Sequence, residues 1–101
     1  ILKLIRNVVL AARKTRIWVG VCGEMANDPR YTPLLVGLGI HELSMAPASI
    51  GLVRHLIRRL NMHDAHKLVE KALRAGSSKE VMDMSAELIS RIAPDEIDIG
   101  Y

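Results

Sequence analysis

Apolar residues recur along the chain with two different periods. At the start they are spaced three, four and three apart, which predicts a helix from about Leu2 to Lys14. The buried face of that helix comprises Leu2, Ile5, Val9 and Ala12. A run from Ile17 to Cys22 is apolar without alternation, as is typical of a parallel strand covered on both faces. A second strand is predicted from Ile40 to Met45.

Turn-forming and capping residues separate these two strands. The segment Gly23–Tyr31 is predicted to be a loop. Thr32 is the expected N-cap of a short helix, with Pro33 at its first position. This helix is predicted to run from Leu34 to Leu38 and to end at Gly39.

Helical periodicity then continues to residue 92. Helices are predicted over about 50–60, 61–75 and 77–92, and their expected N-caps are Ser49, Asn61 and Ser77. Glu80 completes the spacing of a capping box with Ser77. The short link between the last two helices favours an antiparallel hairpin. We therefore divide the chain into an α/β part with parallel βαβ units (1–60), a helical hairpin (61–92) and a weakly ordered tail (93–101).

Composition limits the class of protein. The chain has 101 residues, 25% of them charged, and a net charge of +3, which suits one ordinary globular domain. No apolar run approaches the ~20 residues that span a bilayer, so no membrane insertion is expected. The single cysteine, Cys22, excludes an intrachain disulfide and a cysteine-rich zinc site, and a cytoplasmic location fits best.

The chain is expected to be a piece of a longer protein. It starts at Ile1, inside a periodic helix with no preceding capping residue, although a processed terminus would give the same start. A sheet of two parallel strands leaves both edges unpaired and is seldom stable alone. We therefore expect these strands to need neighbours, either from missing sequence or from a second copy of the chain.

The segment around Cys22 carries a resemblance to a known family. The run Val19–Asp28 includes Cys-Gly-Glu-Met-Ala-Asn-Asp, and 33–45 reads Pro-Leu-Leu-Val-Gly-Leu-Gly-Ile-His-Glu-Leu-Ser-Met. In order and spacing, the two segments resemble the C-terminal part of enzyme I, the phosphoenolpyruvate-protein phosphotransferase of the sugar phosphotransferase system. The likeness covers Ile1 to about Leu60 and continues more loosely beyond. The chain departs from the usual pattern at three positions, which are Asn27 for glycine, His41 for an acidic residue and Ala46 for serine.

The resemblance implies a fold and a reaction. The fold would be the C-terminal end of a (β/α)₈ barrel, about two βα units, followed by the helical hairpin. Phosphoenolpyruvate would phosphorylate a histidine of a missing domain, which passes the phosphoryl group to the phosphocarrier protein HPr. Pyruvate phosphate dikinase and phosphoenolpyruvate synthase share the barrel and the cysteine and rank second.

The same resemblance implies a role for Cys22, a cofactor and an assembly. The cysteine would protonate the enolate of pyruvate, and a thiol suits this role because its reference pKa, about 8.5, keeps it mostly protonated at neutral pH. A residue at the carboxyl end of a barrel strand also faces the catalytic mouth. Mg²⁺ and a homodimer are implied for the parent, whose metal ligands and substrate-binding arginines lie on earlier strands. The isolated chain is therefore expected to be inactive.

Other residues are weaker candidates for chemistry. Glu24 and Asp28 have oxygens that suit Mg²⁺, but Glu24 is better explained as a loop residue with a structural hydrogen bond. The pair His63-x-x-His66 has a metal-binding spacing but no third ligand. The remaining side chains near strand ends are expected to be structural, exposed or core-filling: His41, Ser44, Met25 and Met45.

Two other classes of function stay open at this point. One is a non-catalytic interaction module whose partner surface is the helical stretch Met62–Ile92. The other is a nucleic-acid-binding domain, suggested by basic residues at 13–16 and 54–59. Because aromatic residues make up only 3% of the chain, we interpret these basic residues as solvated helix ends and expect no nucleic acid as a partner.

Overall fold

The computed structural model describes residues 1–94, which form an α/β structure that is mostly helical. The elements, in order, are α1 (Leu2–Thr15), β1 (Gly20–Cys22), α2 (Glu24–Asn27), a 3₁₀ turn (Pro29–Tyr31), α3 (Thr32–Leu38), β2 (Glu42–Ser44), α4 (Pro47–Arg59), α5 (Met62–Leu73) and α6 (Ser78–Ile92). The predicted α/β class and order of the main helices and strands are confirmed. The loop predicted over Gly23–Tyr31 is wrong, because α2 and the 3₁₀ turn occupy most of it.

The two strands pair in parallel, as predicted. Gly20 lies opposite Glu42, Val21 opposite Leu43 and Cys22 opposite Ser44. Cys22 and Ser44 therefore end their strands at the same edge of the sheet.

Both strands begin later than predicted, and the first residue of each predicted run is hydrogen-bonded to the end of the preceding helix. Arg16 takes the left-handed conformation that ends α1, and the amide of Ile17 donates to the carbonyl of Ala12 over 2.9 Å. Gly39 ends α3 in the same way, and the amide of Ile40 donates to the carbonyl of Leu35 over 3.2 Å. Three residues of each run pair as strands, and the carbonyl of Val19 also accepts from the amides of His41 over 2.9 Å and Glu42 over 3.3 Å.

The prediction that both faces of the first strand are covered is wrong for the described chain. Gly20 and Cys22 are exposed, and Val21 is half-buried. The residues just before the strand are more open still, with Ile17 60% and Trp18 76% exposed. The helices of this chain pack mainly on one another, so they do not enclose the sheet.

Two predicted N-caps are wrong, because other residues start the helices earlier. Thr32 has helical backbone angles, since the chain enters α3 directly from the 3₁₀ turn, which Asp28 caps by accepting from the amide of Arg30 over 3.0 Å. Pro47 starts α4 ahead of Ser49, because proline presets the first helical position and holds Ala46 extended before it.

The caps of the last two helices follow the predictions closely. The Asn61 side chain accepts from the amide of His63 over 2.7 Å at the start of α5, which ends at Leu73, two residues before the predicted Ala75. At α6, Ser77 Oγ accepts from the amide of Glu80 over 3.2 Å. The Glu80 carboxylate accepts from the amide of Gly76 over 2.8 Å, one residue earlier than in a standard capping box.

The core is built around α3, which packs against α1, α4, α5 and α6. One buried cluster comprises Leu34, Leu68, Ala72 and Leu88, and a second comprises Leu56, Ile89 and Ala93. The predicted inner face of α1 is confirmed, with Val9 and Ala12 buried. Ala93 belongs to the core, so it is not part of a weakly ordered tail. Residues 95–101 of the predicted tail lie outside the described residues. The boundary predicted near residue 60 stays a prediction.

Thr32 is buried to 1% exposure, and its hydroxyl has no hydrogen-bond partner among the described residues. Replacing it with valine keeps the shape and removes the desolvated oxygen. We expect Thr32→Val to raise the free energy of unfolding by about 1 kcal/mol. Urea denaturation of the two proteins measures this difference.

Thr15→Val is the matched control for that prediction. The Thr15 hydroxyl donates to the carbonyl of Ala12 over 3.1 Å, so its removal is expected to give no gain in stability. A Thr32→Val protein that is less stable than wild type would show that the Thr32 hydroxyl has a stabilising partner.

Candidate active site

Cys22 stands at the carboxyl end of β1, and its thiol is free and exposed. Beside it is a cavity of about 180 Å³, bordered by Gly20, Val21, Cys22, Glu42 and Ser44. In parallel α/β folds, ligands bind beyond the carboxyl ends of the strands, where the following loops provide the polar groups. The position of Cys22 is therefore compatible with a role in chemistry at this edge.

Gly23, directly after Cys22, has a backbone conformation that other residues rarely adopt. Its φ is 84° and its ψ is −157°, a region occupied almost exclusively by glycine. A Cβ atom on Gly23 would meet nothing within 4 Å, so glycine is required here for its backbone and not for space. A Cβ atom on Gly20 would make ordinary contacts with Glu42, whose carbonyl oxygen would lie 3.6 Å away.

Asn27 connects the loop after β1 with the loop after β2. Its side-chain amide donates to the carbonyl of Gly23 over 3.0 Å, and its side-chain oxygen accepts from the amide of Ala46 over 2.7 Å. Sequence reasoning noted Asn27 only as a departure from a family pattern. The bond to Gly23 spans four residues, so local spacing could have predicted it. The bond from Ala46 joins residues 19 positions apart, and no local pattern predicts it.

Among residues 1–94, the carboxylates near Cys22 do not gather into a metal site. Asp28 Oδ2 lies 2.8 Å from the guanidinium of Arg30, and Asp28 Oδ1 accepts from the Arg30 amide, so this carboxylate already has structural partners. Glu24 is exposed in the first turn of α2, where its backbone carbonyl accepts from the amide of Asp28 over 3.1 Å, while its carboxylate has no hydrogen bond within residues 1–94. No group of three potential ligands lies together within residues 1–94.

The candidate histidines His41, His63 and His66 do not border the cavity beside Cys22. His41 comes just before β2, where its Nδ1 accepts from the amide of Val19 over 3.1 Å and its ring stacks on Trp18 with centroids 6.2 Å apart. His41 therefore helps to pair the amino ends of the strands, which agrees with the structural or exposed role predicted for it. His63 and His66 are exposed on α5, as expected for polar residues without a third ligand.

The other predicted candidates are also placed by the structure. Ser44 is exposed beside Cys22, while Met25 and Met45 are half-buried near the strand ends. Arg54 of the predicted basic cluster lies in the middle of α4. Arg13 and Lys14 lie in the last turn of α1, and Arg58 and Arg59 in the last turn of α4, where cations interact favourably with the helix dipole. This placement agrees with their interpretation as helix ends.

The fold and the position of Cys22 define an α/β protein segment with a candidate reactive thiol at the carboxyl edge of parallel strands. The family profile described as PEP-utilising enzyme, PEP-binding domain, matches residues 1–62. The chain belongs to this family. None of the helices within residues 1–94 combines the length and apolar character needed to cross a bilayer.

Curated relatives extend the similarity beyond residue 62. A phosphoenolpyruvate-protein phosphotransferase of Staphylococcus carnosus is 44% identical over 87 residues, which are 86% of this chain and 15% of the relative. The protein of the same name from Listeria monocytogenes is 44% identical over 84 residues, 83% of this chain and 15% of the relative. That of Mycoplasma genitalium is 42% identical over 81 residues, 80% of this chain and 14% of the relative. The chain thus spans about one-seventh of the length of these relatives.

Proposed function

We propose that this chain is the C-terminal part of a phosphoenolpyruvate-protein phosphotransferase, enzyme I of the sugar phosphotransferase system. The observation that carries the proposal is the 44% identity to a relative of that name over 86% of the chain. The shared name of the three relatives supports enzyme I over pyruvate phosphate dikinase and phosphoenolpyruvate synthase.

We further propose that residues 1–60 supply about two βα units of a (β/α)₈ barrel. The uncovered strands, with exposed Ile17 and Trp18 before β1, support this proposal, because barrel neighbours would cover such residues. A groove of about 660 Å³ beside β2 supports it as well, since its lining is mainly apolar: Val36, Ile40, Leu43, Met45, Ile50, Val53 and Ile57, with His41, Glu42, Arg54 and Arg58.

Within the proposed reaction, Cys22 gives a proton to carbon. Phosphoenolpyruvate loses its phosphoryl group to a histidine nitrogen of another domain, so that a phosphorus–oxygen bond breaks and a phosphorus–nitrogen bond forms. The electrons of the broken bond stay on the enolate of pyruvate. Its methylene carbon takes the thiol proton, and water reprotonates the thiolate. The exposed position of Cys22 at the strand edge supports this role, because a general acid must reach the reacting carbon.

The remaining parts of the reaction belong to the rest of the parent protein. We propose that it uses Mg²⁺ with ligands outside this chain. Asp28 forms an ion pair with Arg30, and Glu24 belongs to no group of three potential ligands within residues 1–94. The proposed partners are phosphoenolpyruvate and pyruvate, HPr and a second copy of the protein, and the proposed location is the cytoplasm.

Comparing this chain with the full-length protein that carries it tests the proposed function. The full-length protein is expected to release pyruvate from phosphoenolpyruvate with Mg²⁺ and to phosphorylate HPr. The chain alone is expected to do neither, because it lacks the phosphohistidine domain. Coupling pyruvate release to lactate dehydrogenase and following HPr phosphorylation on native gels measure both. Pyruvate release by the purified chain, or a full-length protein that leaves HPr unmodified, would contradict the proposal.

A further inference from the structure

We propose that Asn27, at the end of α2, is a positioning residue, which holds the segment that follows Cys22 against the loop that follows β2. The inference rests on the proposed function of Cys22. It starts from the two hydrogen bonds of the Asn27 side chain, to the carbonyl of Gly23 over 3.0 Å and from the amide of Ala46 over 2.7 Å.

The first bond acts at the residue next to the thiol. The carbonyl of Gly23 accepts both the backbone amide of Asn27, over 3.2 Å, and its side-chain amide. Gly23 is also the residue with the glycine-only backbone angles, so the chain direction changes sharply just after Cys22. Two donors on one carbonyl fix the peptide plane at this point.

The second bond acts across the site. Ala46 lies two residues after Ser44, which is the strand partner of Cys22. Helix α4 starts without a side-chain cap of its own, and Asn27 provides the acceptor for the amide of Ala46. Asn27 therefore ties the residue after Cys22 to the start of α4, in addition to the packing of α2 against β2 and α4.

The position of the thiol affects the rate of the proposed proton transfer. Proton transfer to carbon requires the thiol to be held close to the reacting atom, and a misplacement of about 1 Å costs on the order of a hundredfold in rate. The segment after Cys22 is also held by the packing of α2, whose Ala26 is buried, and the Asn27 hydrogen bonds fix its position relative to Gly23 and Ala46. Loss of the tie should therefore slow turnover without weakening substrate binding.

Steady-state kinetics of the full-length protein test the proposal with two variants. Asn27→Ala, which removes both bonds, is expected to lower kcat about tenfold or more and to change KM for phosphoenolpyruvate by less than about twofold. Asn27→Asp keeps the oxygen that accepts from the amide of Ala46 but loses the side-chain donor to the carbonyl of Gly23, so it is expected to recover kcat only in part. Hydrogen exchange of the Ala46 amide should be faster in Asn27→Ala and protected in Asn27→Asp.

Asn61→Ala provides the matched control, because it removes an asparagine hydrogen bond at the start of α5. It is expected to lower thermal stability and leave kcat unchanged. Asn27→Ala with wild-type kcat, or with an Ala46 amide that exchanges as slowly as in wild type, would overturn the positioning role. Cys22→Ala in the same assay separates the two proposals, since wild-type turnover there removes the role of the thiol itself.

Discussion

Cys22→Ala in the full-length protein is expected to lower turnover by about 10² to 10⁴-fold while phosphoenolpyruvate still binds. The substitution removes the proposed proton donor and leaves the backbone of the strand end in place. Binding is expected to persist because the substrate-binding groups lie on other strands of the proposed barrel. Pyruvate release gives the turnover, and isothermal titration with phosphoenolpyruvate gives the affinity.

Ser44→Ala is the control for that experiment. Ser44 lies opposite Cys22 in the strand register and borders the same cavity, so its replacement alters the shape of this edge without removing the thiol. We expect its effect on turnover to be less than about tenfold, since no proton donor is lost. Equal losses in the two variants would indicate that the shape of the edge matters, and not the thiol. Unchanged turnover in Cys22→Ala would remove Cys22 from the mechanism.

Gly37→Ala is expected to destabilise the fold strongly. A Cβ atom at this position in α3 would lie 2.5 Å from the carbonyl oxygen of Ala65 and 2.7 Å from Cγ2 of Val69. The carbonyl belongs to the backbone of α5, so the two helices would have to separate along the centre of the core. We expect the free energy of unfolding to fall by about 2–3 kcal/mol, because overpacking outweighs the gain of roughly 1 kcal/mol from the higher helix propensity of alanine.

Gly51→Ala isolates the propensity effect and serves as the control. Gly51 is an exposed residue in the middle of α4, and a Cβ atom there would meet nothing within 4 Å. The free energy of unfolding of this variant is expected to rise by about 1 kcal/mol. Urea denaturation of both variants gives the two changes in the free energy of unfolding. Changes of the same sign would show that α3 and α5 have room at Gly37.

The accuracy of the predictions depends on how local each signal is. Asn61 and Ser77 cap their helices as predicted, because a cap bonds to amides two or three residues away. Thr32 and Ser49 are also good capping residue types, but Asp28 and Pro47 start the same helical segments earlier. The predicted strands start too early, because Arg16 and Gly39 close the preceding helices and the next residue of the chain bonds to each helix end. Competition between neighbouring local signals accounts for these errors.

The sequence by itself determined the α/β class, the helix ends marked by short-range caps, and the motif that singles out Cys22. These features depend on residue type and spacing within a few positions, where the chain geometry is nearly fixed. Only the tertiary structure decided that Cys22 lies opposite Ser44, that Asn27 joins their two loops, and that Gly37 lets α3 approach α5. These contacts join residues 19 or more positions apart along the chain, and no local preference specifies which distant atoms packing brings together.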